Sequence, residues 1–474
     1  MTAKCCVIVA DTPDAAAASA ADAIRCGADV LEFRLDSLTR IPDDLSFLKT
    51  RVPVIATLRC ETGEADREPV FALALAAGAT WIDIESDSVL RDRFPKESVI
   101  CSYHDYEGTP DTEKILAIFA DLRSSGMPKA AFMIRGPADL ISLRRAADVL
   151  KQDDRPFVLI GMGPCGEVTR VRAAELGSFL TYCALTPECA SAPGQITLDE
   201  AVRLGDNPVV TAITGWPLTH TFSPEIHNAA FRAAGIPGRY VKVPASPEEL
   251  SCIPEILELY RISGMNVTIP HKEAIIPFLQ SIDPAAAAAG AVNTIRTSDE
   301  GRIGYNTDIF GIAASLKGAG AKPAGARTLV IGAGGAARAA VSWLTSAGAD
   351  VFITNRTFSR AEALAREFGA HAVPRGELRS GWDIILNATP AGMNGFEVTS
   401  PVPETIFSPD TIIMDMIYDP EATPLLRAAR KAGVRTLISG KTMLIEQAAA
   451  SFALWTGTEP DRAVMIQAFE ERTI

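Results

Sequence analysis

The sequence predicts an α/β protein in two parts, an N-terminal (β/α)8 barrel followed by a part that contains a dinucleotide-binding domain. Two observations lead to this prediction. Up to residue 206, short apolar runs recur about every 20 to 27 residues with amphipathic stretches between them, as in repeated βα units. Further along, ARTLVIGAGGAARAAV at Ala326–Val341 indicates a strand, a glycine-rich turn and a helix.

Eight candidate strands account for the N-terminal part. They are Cys5–Ala10, Val30–Leu35, Val54–Arg59, Trp81–Glu85, Val99–His104, Ala130–Ile134, Phe157–Gly161 and Phe179–Cys183. Eight βα repeats in about 205 residues indicate a compact barrel. The short polar segment Glu200–Val209 indicates a join between two folded parts rather than a long tether.

Composition excludes several classes of protein. The 474 residues include 45 basic and 58 acidic side chains, for a net charge of −13, which disfavours binding to nucleic acid or to anionic membranes. No uncharged apolar run reaches the ~18 residues of a membrane span, and the N-terminus lacks a signal or transit peptide. The nine cysteines are an odd number without a C-x-x-C pair. We therefore expect a soluble cytoplasmic protein with reduced thiols and no metal site.

The predicted barrel strands carry polar side chains on one face. In LEFRLD (Leu31–Asp36) the apolar residues alternate with Glu32, Arg34 and Asp36. On a half-buried antiparallel strand such charges would face water, whereas in a barrel they point inward. Other strands end with polar residues at the same spacing, namely Thr57, Arg59, Asp83, Glu85, Ser102 and His104. A single charge at a strand end is usually a surface residue, but convergence of several strands on the C-terminal mouth favours an active site.

Lys129 opens the sixth predicted strand and is the candidate nucleophile. Desolvation disfavours its ammonium form, and the free amine can attack a carbonyl to form a Schiff base. His104 can transfer protons near neutral pH, and arginines can hold a carboxylate. Another Schiff-base barrel, such as a class I aldolase, uses the same residue types.

The N-terminal motifs resemble type I 3-dehydroquinate dehydratase over residues 1 to about 206. They are E-F-R at Glu32–Arg34, T-L-R at Thr57–Arg59, S-Y-H-D-Y-x-x-T-P at Ser102–Pro110, Lys129, M-G-x-x-G-x-x-T-R at Met162–Arg170 and S-A-P-G-Q at Ser191–Gln195. S-Y-H-D and S-A-P-G-Q argue against an aldolase. The resemblance implies an imine at Lys129 and proton transfer by His104. The substrate contacts that it implies are Glu32, Arg34, Arg59, Arg170, Ser191 and Gln195.

One segment departs from the dehydratase pattern. The family has a longer stretch ending in E-G-G after the T-x-R arginine, and its glutamate orients the catalytic histidine. In this chain the stretch after Arg59 is about two residues shorter than the family's stretch, when the two are compared motif by motif. Glu61 is the first candidate for that glutamate, and Glu64 is the second.

The glycine-rich turn after Ile331 has the context of a dinucleotide site. Gly332, Ala333, Gly334, Gly335 and Ala336 lie between an apolar run and a helix whose N-terminus can receive phosphates. An NAD site requires Asp or Glu about twenty residues later. The sequence there is Asn355, Arg356 and Thr357, which suits a 2′-phosphate and predicts NADP(H). The alternative is an exposed turn with an incidental arginine.

The C-terminal motifs resemble shikimate dehydrogenase from about residue 210 to the end. They are G-W-P-L-T-H-T-F-S-P-E-I-H-N (Gly215–Asn228), N-V-T-I-P-H-K (Asn266–Lys272), A-V-N-T, N-T-D, the glycine turn, N-R-T, N-A-T-P-A-G-M (Asn387–Met393) and G-K-T-M-L-I-E-Q (Gly440–Gln447). Taken singly, Lys272 would be a surface lysine. The resemblance implies that Lys272 protonates an alkoxide and is paired with Asp308.

The same resemblance implies further contacts. Those to substrate are Thr221, Ser223, Thr268, Asn293, Asp308, Tyr418 and Gln447. Those to the cofactor include Thr389, Met416 and Gly440. Thr221 replaces one of the family's paired serines, so strict preference for shikimate over quinate is less secure, and an NAD-dependent quinate enzyme is the alternative. Lys441 and Thr442 are more polar than the residues usual there.

Both resemblances on one chain, in this order, are similar to the bifunctional dehydratase–dehydrogenase family. We predict a barrel at 1–206, a substrate domain at 210–308 completed by 440–474, and a Rossmann-type NADP domain at 309–439. The expected partners are small-molecule substrates. A catalytically inactive NADP-binding sensor is disfavoured, because Lys129, His104, Lys272 and Asp308 are all present.

Overall fold

The computed structural model describes residues 2–59, 63–218, 221–394 and 399–473. The chain divides into two compact units. The first contains Met1–Val210 and Pro237–Ile262, and the second contains Thr211–Ile236 and Ser263–Ile474. Among the described residues, no helix combines the length and the apolar character needed to span a membrane.

The described part of the first 206 residues contains eight strands and seven α-helices. The strands are β1 Ala3–Ile8, β2 Val30–Arg34, β3 Val54–Thr57, β4 Trp81–Glu85, β5 Val99–Asp105, β6 Met127–Met133, β7 Val158–Met162 and β8 Leu180–Ala184. The helices are α1 Pro13–Arg25, α2 Glu64–Ala77, α3 Thr112–Leu122, α4 Pro137–Leu150, α5 Glu167–Val171, α6 Ala173–Leu176 and α7 Leu198–Leu204. All eight predicted strands are confirmed, β4 with the predicted bounds and the other seven with shifted ends. Lys129 lies inside β6 rather than at its start.

These strands form a nearly closed parallel barrel in the order β7-β6-β5-β4-β3-β2-β1-β8. Where β7 and β8 begin, the Phe179 N–H donates to the Phe157 carbonyl at 2.7 Å. Two connections differ from the (β/α)8 prediction. The β2–β3 and β4–β5 connections, both described throughout, contain short 3₁₀ turns in place of α-helices. The barrel therefore encloses the predicted polar faces with fewer covering helices than the repeat pattern predicts.

Residues 207–473 contain twelve strands and nine α-helices in their described part. The strands are β9 Val209–Thr214, β10 Gly238–Lys242, β11 Ile262–Val267, β12 Ser281–Ile282, β13 Thr294–Ser298, β14 Gly301–Tyr305, β15 Arg327–Ile331, β16 Asp350–Thr354, β17 His371–Ala372, β18 Ile384–Asn387, β19 Ile412–Asp415 and β20 Thr436–Ile438. The helices are α8 Ser223–Ala233, α9 Ile253–Leu259, α10 Pro284–Ala289, α11 Asp308–Gly318, α12 Gly335–Ser346, α13 Phe358–Phe368, α14 Pro424–Lys431, α15 Gly440–Thr456 and α16 Arg462–Thr473.

The second unit contains two sheets. In one, β9, β11, β13, β14 and β12 lie in that order. The other is wholly parallel with the order β17-β16-β15-β18-β19-β20. That order, with the crossover at β15, is the Rossmann arrangement, and ligands bind where the carboxyl ends of its strands diverge. The Rossmann-type part of the fold prediction is thus confirmed.

The first unit includes a buried arginine that holds the end of α9. The Arg172 side chain is 2% exposed. Its Nε donates to the Tyr260 carbonyl at 3.0 Å, and its Nη2 donates to the Arg261 carbonyl at 2.8 Å. Arg261 has a φ of +44°, which is uncommon for a residue other than glycine. Arg172 therefore satisfies carbonyls that the helix end leaves without intrahelical partners.

Candidate active sites

The barrel interior contains a buried lysine between two carboxylates. Lys129 is 3% exposed, and its Nζ lies 2.7 Å from Asp83 Oδ2 and 3.7 Å from Glu32 Oε1. The same Nζ lies 4.1 Å from the centre of the Tyr182 ring, within cation–π range. Thr57 Oγ1 donates to Glu32 Oε1 at 2.7 Å, which fixes that carboxylate. The predicted inward faces of β2 and β6 thus meet at one lysine.

Asp83 is the centre of this cluster. It is fully buried and lies 3.0 Å from Arg59 Nη1, while Ser102 Oγ donates to its Oδ1 at 2.6 Å. The cations of Arg59 and Lys129 hold the pKa of Asp83 far below its usual range despite burial, so it is a carboxylate. The residue pattern had placed Asp83 on the polar face without assigning it a role. Its position within the alternation was the available signal.

His104 is a neutral base in this setting. Burial lowers its pKa to about 3, and the charges of Lys129 and Arg59 add to the effect. It lies on β5, where its strand neighbour Ser102 is in register with Lys129. Because a neutral imidazole accepts a proton, His104 can act as a base at neutral pH.

The remaining predicted dehydratase residues lie in three other places. Arg34 forms a two-bond contact with Asp36, at 3.1 and 2.6 Å. The Ser191 N–H and Oγ both donate to Gln195 Oε1, at 2.8 and 3.2 Å. Arg170 is buried, and its Nη1 donates weakly to the Tyr182 carbonyl at 3.4 Å.

Arg170 is not brought into the Lys129 cluster. Burial lowers its pKa to about 10, and the groups that oppose this are Cys183 and Glu167. Among the described residues, its Nε has no hydrogen-bond partner. Glu61 lies outside the described residues, and so does the side chain of Glu64, at which α2 begins. The choice between these two glutamates stays a prediction.

The second unit contains a lysine–aspartate pair between its two sheets. Lys272 Nζ lies 2.5 Å from Asp308 Oδ2, and Asn293 Nδ2 donates to Asp308 Oδ1 at 2.7 Å. Asp308 is the first residue of α11, where the helix dipole favours a negative charge. The Val292 N–H donates to the Lys272 carbonyl at 2.7 Å, which ties the lysine loop to Asn293. The predicted pair Lys272–Asp308 and its neighbour Asn293 are therefore together.

A buried hydroxyl network lies beneath Asn293. Its Oδ1 accepts the Thr307 N–H at 2.7 Å, and Ser451 Oγ lies 2.9 Å from Thr294 Oγ1. Asn266 Nδ2 donates to Ser451 Oγ at 3.0 Å. Sequence reasoning did not single out Ser451, because it lies in α15, well over a hundred residues from the strands that it contacts.

The other predicted substrate residues lie in the same unit, Gln447 within α15 and the others at or near the ends of elements. Thr221 Oγ1 accepts the N–H of Ser223, the first residue of α8, at 3.3 Å. Thr268 follows β11, and its N–H donates to the Thr214 carbonyl at 2.9 Å. Gln447 Nε2 donates to the Leu444 carbonyl at 3.0 Å within α15. Burial raises the pKa of Tyr418 to about 12, so it is a neutral phenol.

The glycine turn after β15 fits a pyrophosphate. Gly332 has a φ of +123°, which only glycine adopts readily, and a Cβ there would lie 3.1 Å from the Ala388 carbonyl oxygen. A Cβ on Gly334, the N-cap of α12, would meet nothing within 4 Å, so this end of the helix is open to a ligand. A Cβ on Gly335 would lie 2.9 Å from Lys272 Cβ. The turn is thus adjacent to the lysine loop.

The predicted 2′-phosphate residues follow β16, the neighbour of β15. Arg356 and Thr357 are exposed, and Asn355 Nδ2 donates to the Thr357 carbonyl at 3.0 Å. The Gly332 N–H donates to the Thr354 carbonyl at 2.8 Å, so the glycine turn lies next to this segment. An exposed guanidinium at this position is available to an anion.

A buried carboxylate holds the other side of the predicted cofactor site. Asp415 accepts hydrogen bonds from Asn387 Nδ2 at 2.9 Å and Thr423 Oγ1 at 2.7 Å. Burial raises its pKa to about 6. Asn387 Oδ1 in turn accepts the Thr389 hydroxyl at 2.7 Å, and its carbonyl accepts the Met416 N–H. Sequence reasoning missed Asp415 because its D-M-I-Y-D-P context drew attention to Tyr418.

Gly440 completes this side of the site. A Cβ there would lie 2.3 Å from the Met416 carbonyl oxygen, so only glycine permits this approach of α15 to the segment after β19. The three predicted cofactor residues Thr389, Met416 and Gly440 are therefore connected. Within the described ranges, no group of three or more His, Cys, Asp or Glu side chains could hold a metal ion.

The matches to known protein families fall in two parts of the chain. The family model of type I 3-dehydroquinase matches residues 4–205. The models of the shikimate dehydrogenase substrate binding domain, of shikimate/quinate 5-dehydrogenase and of the shikimate 5′-dehydrogenase C-terminal domain match residues 213–295, 315–396 and 440–468. The chloroplastic bifunctional 3-dehydroquinate dehydratase/shikimate dehydrogenase of Arabidopsis thaliana is 31% identical, over 96% of this chain and 82% of the relative. The chain belongs to this bifunctional family.

Single-activity relatives match the second part of this bifunctional chain. The shikimate dehydrogenase (NADP(+)) of Moorella thermoacetica is 41% identical over 55% of the chain and 92% of the relative. A crystal structure of shikimate 5-dehydrogenase from Thermus thermophilus, in complex with NADP(H) and shikimate, is 36% identical. That structure aligns with a TM-score of 0.52 over 56% of this chain and 99% of its own.

Proposed function

We propose that this chain dehydrates 3-dehydroquinate to 3-dehydroshikimate in its barrel and reduces 3-dehydroshikimate to shikimate in its second unit. One observation carries the proposal. Each of the two units contains a lysine that stands at the position of the family's motif and is paired with a carboxylate. Dehydration is assigned to residues 1–206. Substrate binding for reduction is assigned to 210–308 with 440–474, and cofactor binding to 309–439.

In the barrel, Lys129 attacks the C3 carbonyl of the substrate and forms an imine with loss of water. The protonated imine withdraws electrons, so His104 can remove the C2 proton as a neutral imidazole. His104 then returns that proton to the C1 hydroxyl, which leaves as water, and hydrolysis of the imine frees Lys129. Support comes from the burial of Lys129 between Asp83 and Glu32 and from the lowered pKa of His104.

Arg59 and Asp83 prepare this site for a negatively charged substrate. Arg59 contacts Asp83 at 3.0 Å and Glu85 at 3.2 Å, so its guanidinium is oriented before the substrate arrives. We assign contacts with the substrate to Glu32, Arg34, Arg59, Ser191 and Gln195. Arg170 is assigned as a further contact on the family motif alone.

In the second unit, Lys272 donates a proton to the substrate oxygen as negative charge develops on it. Asp308 holds the ammonium in place at 2.5 Å, and Asn293 fixes the other oxygen of Asp308. NADPH, when bound, supplies the hydride. Thr221 and Ser223 bind the substrate carboxylate, and Thr268, Tyr418 and Gln447 line the same pocket.

The residues present fit NADP(H). Gly332 with its positive φ and the open N-terminus of α12 fit the pyrophosphate. Arg356 offers an exposed cation to the 2′-phosphate, and no acidic side chain stands at Asn355–Thr357 to bind a free ribose hydroxyl. Thr389, Met416 and Gly440 lie on the side assigned to the nicotinamide.

One experiment tests both activities in order. The purified chain receives 3-dehydroquinate and NADPH, and the absorbance of NADPH is followed while shikimate is measured. Oxidation of NADPH with formation of shikimate supports both assignments. If no oxidation occurs, 3-dehydroshikimate is added. A response then rejects the dehydratase assignment alone, and continued silence rejects the dehydrogenase assignment.

The imine is tested by trapping. Borohydride with 3-dehydroquinate should reduce a covalent adduct onto Lys129, which is located by peptide mass mapping. The exposed Lys114 of α3 serves as an internal control for unspecific modification. An adduct elsewhere, or an unmodified Lys129 in an active enzyme, contradicts the mechanism.

A second candidate for the reductase is broader specificity that includes quinate. Thr221 stands where the family has a serine, and its extra methyl group changes the packing at the carboxylate end. Oxidation of quinate and of shikimate should be compared with NADP+ and NAD+. A kcat/KM for quinate equal to or above that for shikimate would replace the primary assignment.

A further inference from the structure

The C-terminal helix α16 packs against three parts of the proposed dehydrogenase site. Its Phe469 ring is 2% exposed and stacks on Phe222 with ring centres 4.7 Å apart. The Tyr418 ring lies edge-to-face with the same ring, with the two centres 6.3 Å apart, and Lys441 Nζ lies 5.6 Å from the Phe469 ring centre. Phe469 thus contacts the Thr221–Ser223 segment, the segment after β19 and the start of α15.

Arg472, one turn further along α16, holds the same segment through its backbone. Its Nη1 donates to the Thr221 carbonyl and pairs with Glu225 Oε2 of α8 at 2.7 Å. Its guanidinium carbon lies 4.6 Å from the centre of the Phe222 ring, within cation–π range. Phe222 is therefore contacted by both Phe469 and Arg472.

Phe222 stands between the two hydroxyl residues assigned to the substrate carboxylate. Thr221 Oγ1 already accepts the Ser223 N–H at 3.3 Å, so the two side chains belong to one tight segment at the start of α8. A segment of this kind, at the end of an element, can rotate unless its neighbours fix it. The stacked Phe222 ring and the bonded Thr221 carbonyl fix both the side chain and the backbone between the hydroxyls.

We infer that Phe469 and Arg472 are positioning residues for the carboxylate end of the dehydrogenase substrate and act through the Thr221–Ser223 segment. This inference rests on the proposed function. Neither residue is assigned a contact with substrate or cofactor. Both act on where the two hydroxyls stand before the substrate binds.

The inference also gives Lys441 a role. Lys441 directly follows Gly440, the close-approach glycine beside Met416, and its Nζ pairs with Glu470 Oε1 of α16 at 2.5 Å. The same end of α16 is thereby attached to the start of α15. The polar residue that the motif pattern left without a role is a link between the helix and the site.

The test compares two arginines of α16 that both form ion pairs. Arg472→Gln removes the contact with the Thr221 carbonyl and with Phe222. Arg462→Gln is the matched control, since Arg462 pairs with Glu446 at 3.0 Å and has no contact with the Thr221–Ser223 segment in the described structure. We expect Arg472→Gln to raise the KM for shikimate about tenfold, because binding is lost equally in the ground and transition states.

The other readouts separate positioning from general damage. In Arg472→Gln, kcat, the KM for NADP+ and the dehydratase activity should stay within about twofold of wild type. Arg472→Lys, which keeps a donor and a charge, should recover most of the loss. Phe469→Leu, which keeps an apolar side chain without a ring to stack, should raise the same KM with kcat unchanged.

Each of the following outcomes would overturn either the inference or the proposed function. An active wild type with equal KM values in Arg472→Gln and Arg462→Gln overturns the inference and leaves the proposed function standing. A fall in kcat together with a raised KM for NADP+ overturns it as well, because the helix would then support the whole unit. A wild-type chain that does not oxidise shikimate rejects the proposed function itself.

Discussion

The two lysines that we assign to catalysis have different surroundings. Lys129 is almost fully buried, has two carboxylates within 4 Å and lies over an aromatic ring. Lys272 has a side chain that is 14% exposed and pairs with Asp308. The difference corresponds to two kinds of chemistry. A lysine that forms an imine needs a desolvated site in which its neighbours fix its position, whereas a lysine that donates a proton needs one fixed carboxylate and contact with solvent.

The supporting residues differ in the same way. In the barrel, Asp83 is shared by Lys129, Arg59 and Ser102, so one carboxylate holds three side chains. In the second unit, Asp308 lies at the start of a helix and Asn293 holds its second oxygen. The barrel site is a network of charged side chains, whereas the second site is one ion pair that a neutral asparagine supports. The predictions below test that contrast.

The largest effect should come from removing each lysine. Lys129→Ala should lower dehydration by at least about 10³-fold and leave reduction unchanged, because the nucleophile is lost. Lys272→Ala should lower the kcat of reduction by about 10²- to 10³-fold and leave dehydration unchanged. Separate assays with 3-dehydroquinate and 3-dehydroshikimate measure the two effects.

The exposed lysines Lys114 on α3 and Lys317 on α11 provide matched controls for these substitutions. Their alanine variants should keep both activities. If Lys129→Ala also abolished reduction, the separation of the two sites would be wrong.

The second effect concerns stability. Asp83→Asn leaves the buried Lys129 and the partly buried Arg59 without their shared carboxylate and should lower the free energy of unfolding of the barrel by about 3 kcal/mol. Asp308→Asn should cost about 1 kcal/mol or less, because Lys272 retains contact with water. Urea unfolding combined with amide hydrogen exchange in β4 and in α11 measures the two separately. Equal losses would remove the contrast between network and pair.

The third effect is a dependence on pH. Burial lowers the pKa of His104 from 6.5 to about 3, so the unfolded chain takes up a proton below pH 6.5 that the folded barrel does not. The free energy of unfolding should therefore fall as the pH drops from 6.5 to about 3, and this group should have no effect above pH 6.5. His104→Asn should flatten that part of the profile. The exposed His371 is the control, and an equal change in His371→Asn would contradict the assignment.

The smallest effect is expected at an exposed charge. Arg356→Ala should raise the KM for NADPH about tenfold, since one charge-assisted contact with phosphate is lost. The KM for NADH should not change. Arg360→Ala, an exposed arginine on α13 nearby, controls for a general loss of positive charge. Equal effects on both cofactors would count against a phosphate contact at Arg356.

Much of the barrel follows from local pattern. Alternation within LEFRLD correctly predicts that Glu32 faces inward, because the period of a strand is two residues. The two missing covering helices could not be predicted, since amphipathic stretches in the β2–β3 and β4–β5 connections fold as short 3₁₀ turns. Sequence pattern also cannot tell which inward-facing carboxylate is shared by several side chains. Asp83 acquires that position because the strand register sets Ser102 opposite Lys129.

The second unit shows the same limit over longer distances. The glycine turn and the residues after β16 can be predicted from the sequence because they directly follow their strands. Ser451 and Phe469 each contact residues more than 150 positions away along the chain, so no local pattern marks them. Lys441 could be noticed from its motif but not explained, since its partner Glu470 lies in another helix.

Arg172 connects the dehydratase sequence to a segment that lies beyond it. Its guanidinium, buried in the first unit, donates to the carbonyls of Tyr260 and Arg261. A chain cut after residue 206 would lose these two acceptors and keep the contact of Arg172 with Glu175 at 3.0 Å. The folded first unit is therefore larger than the dehydratase sequence, because Pro237–Ile262 belongs to it.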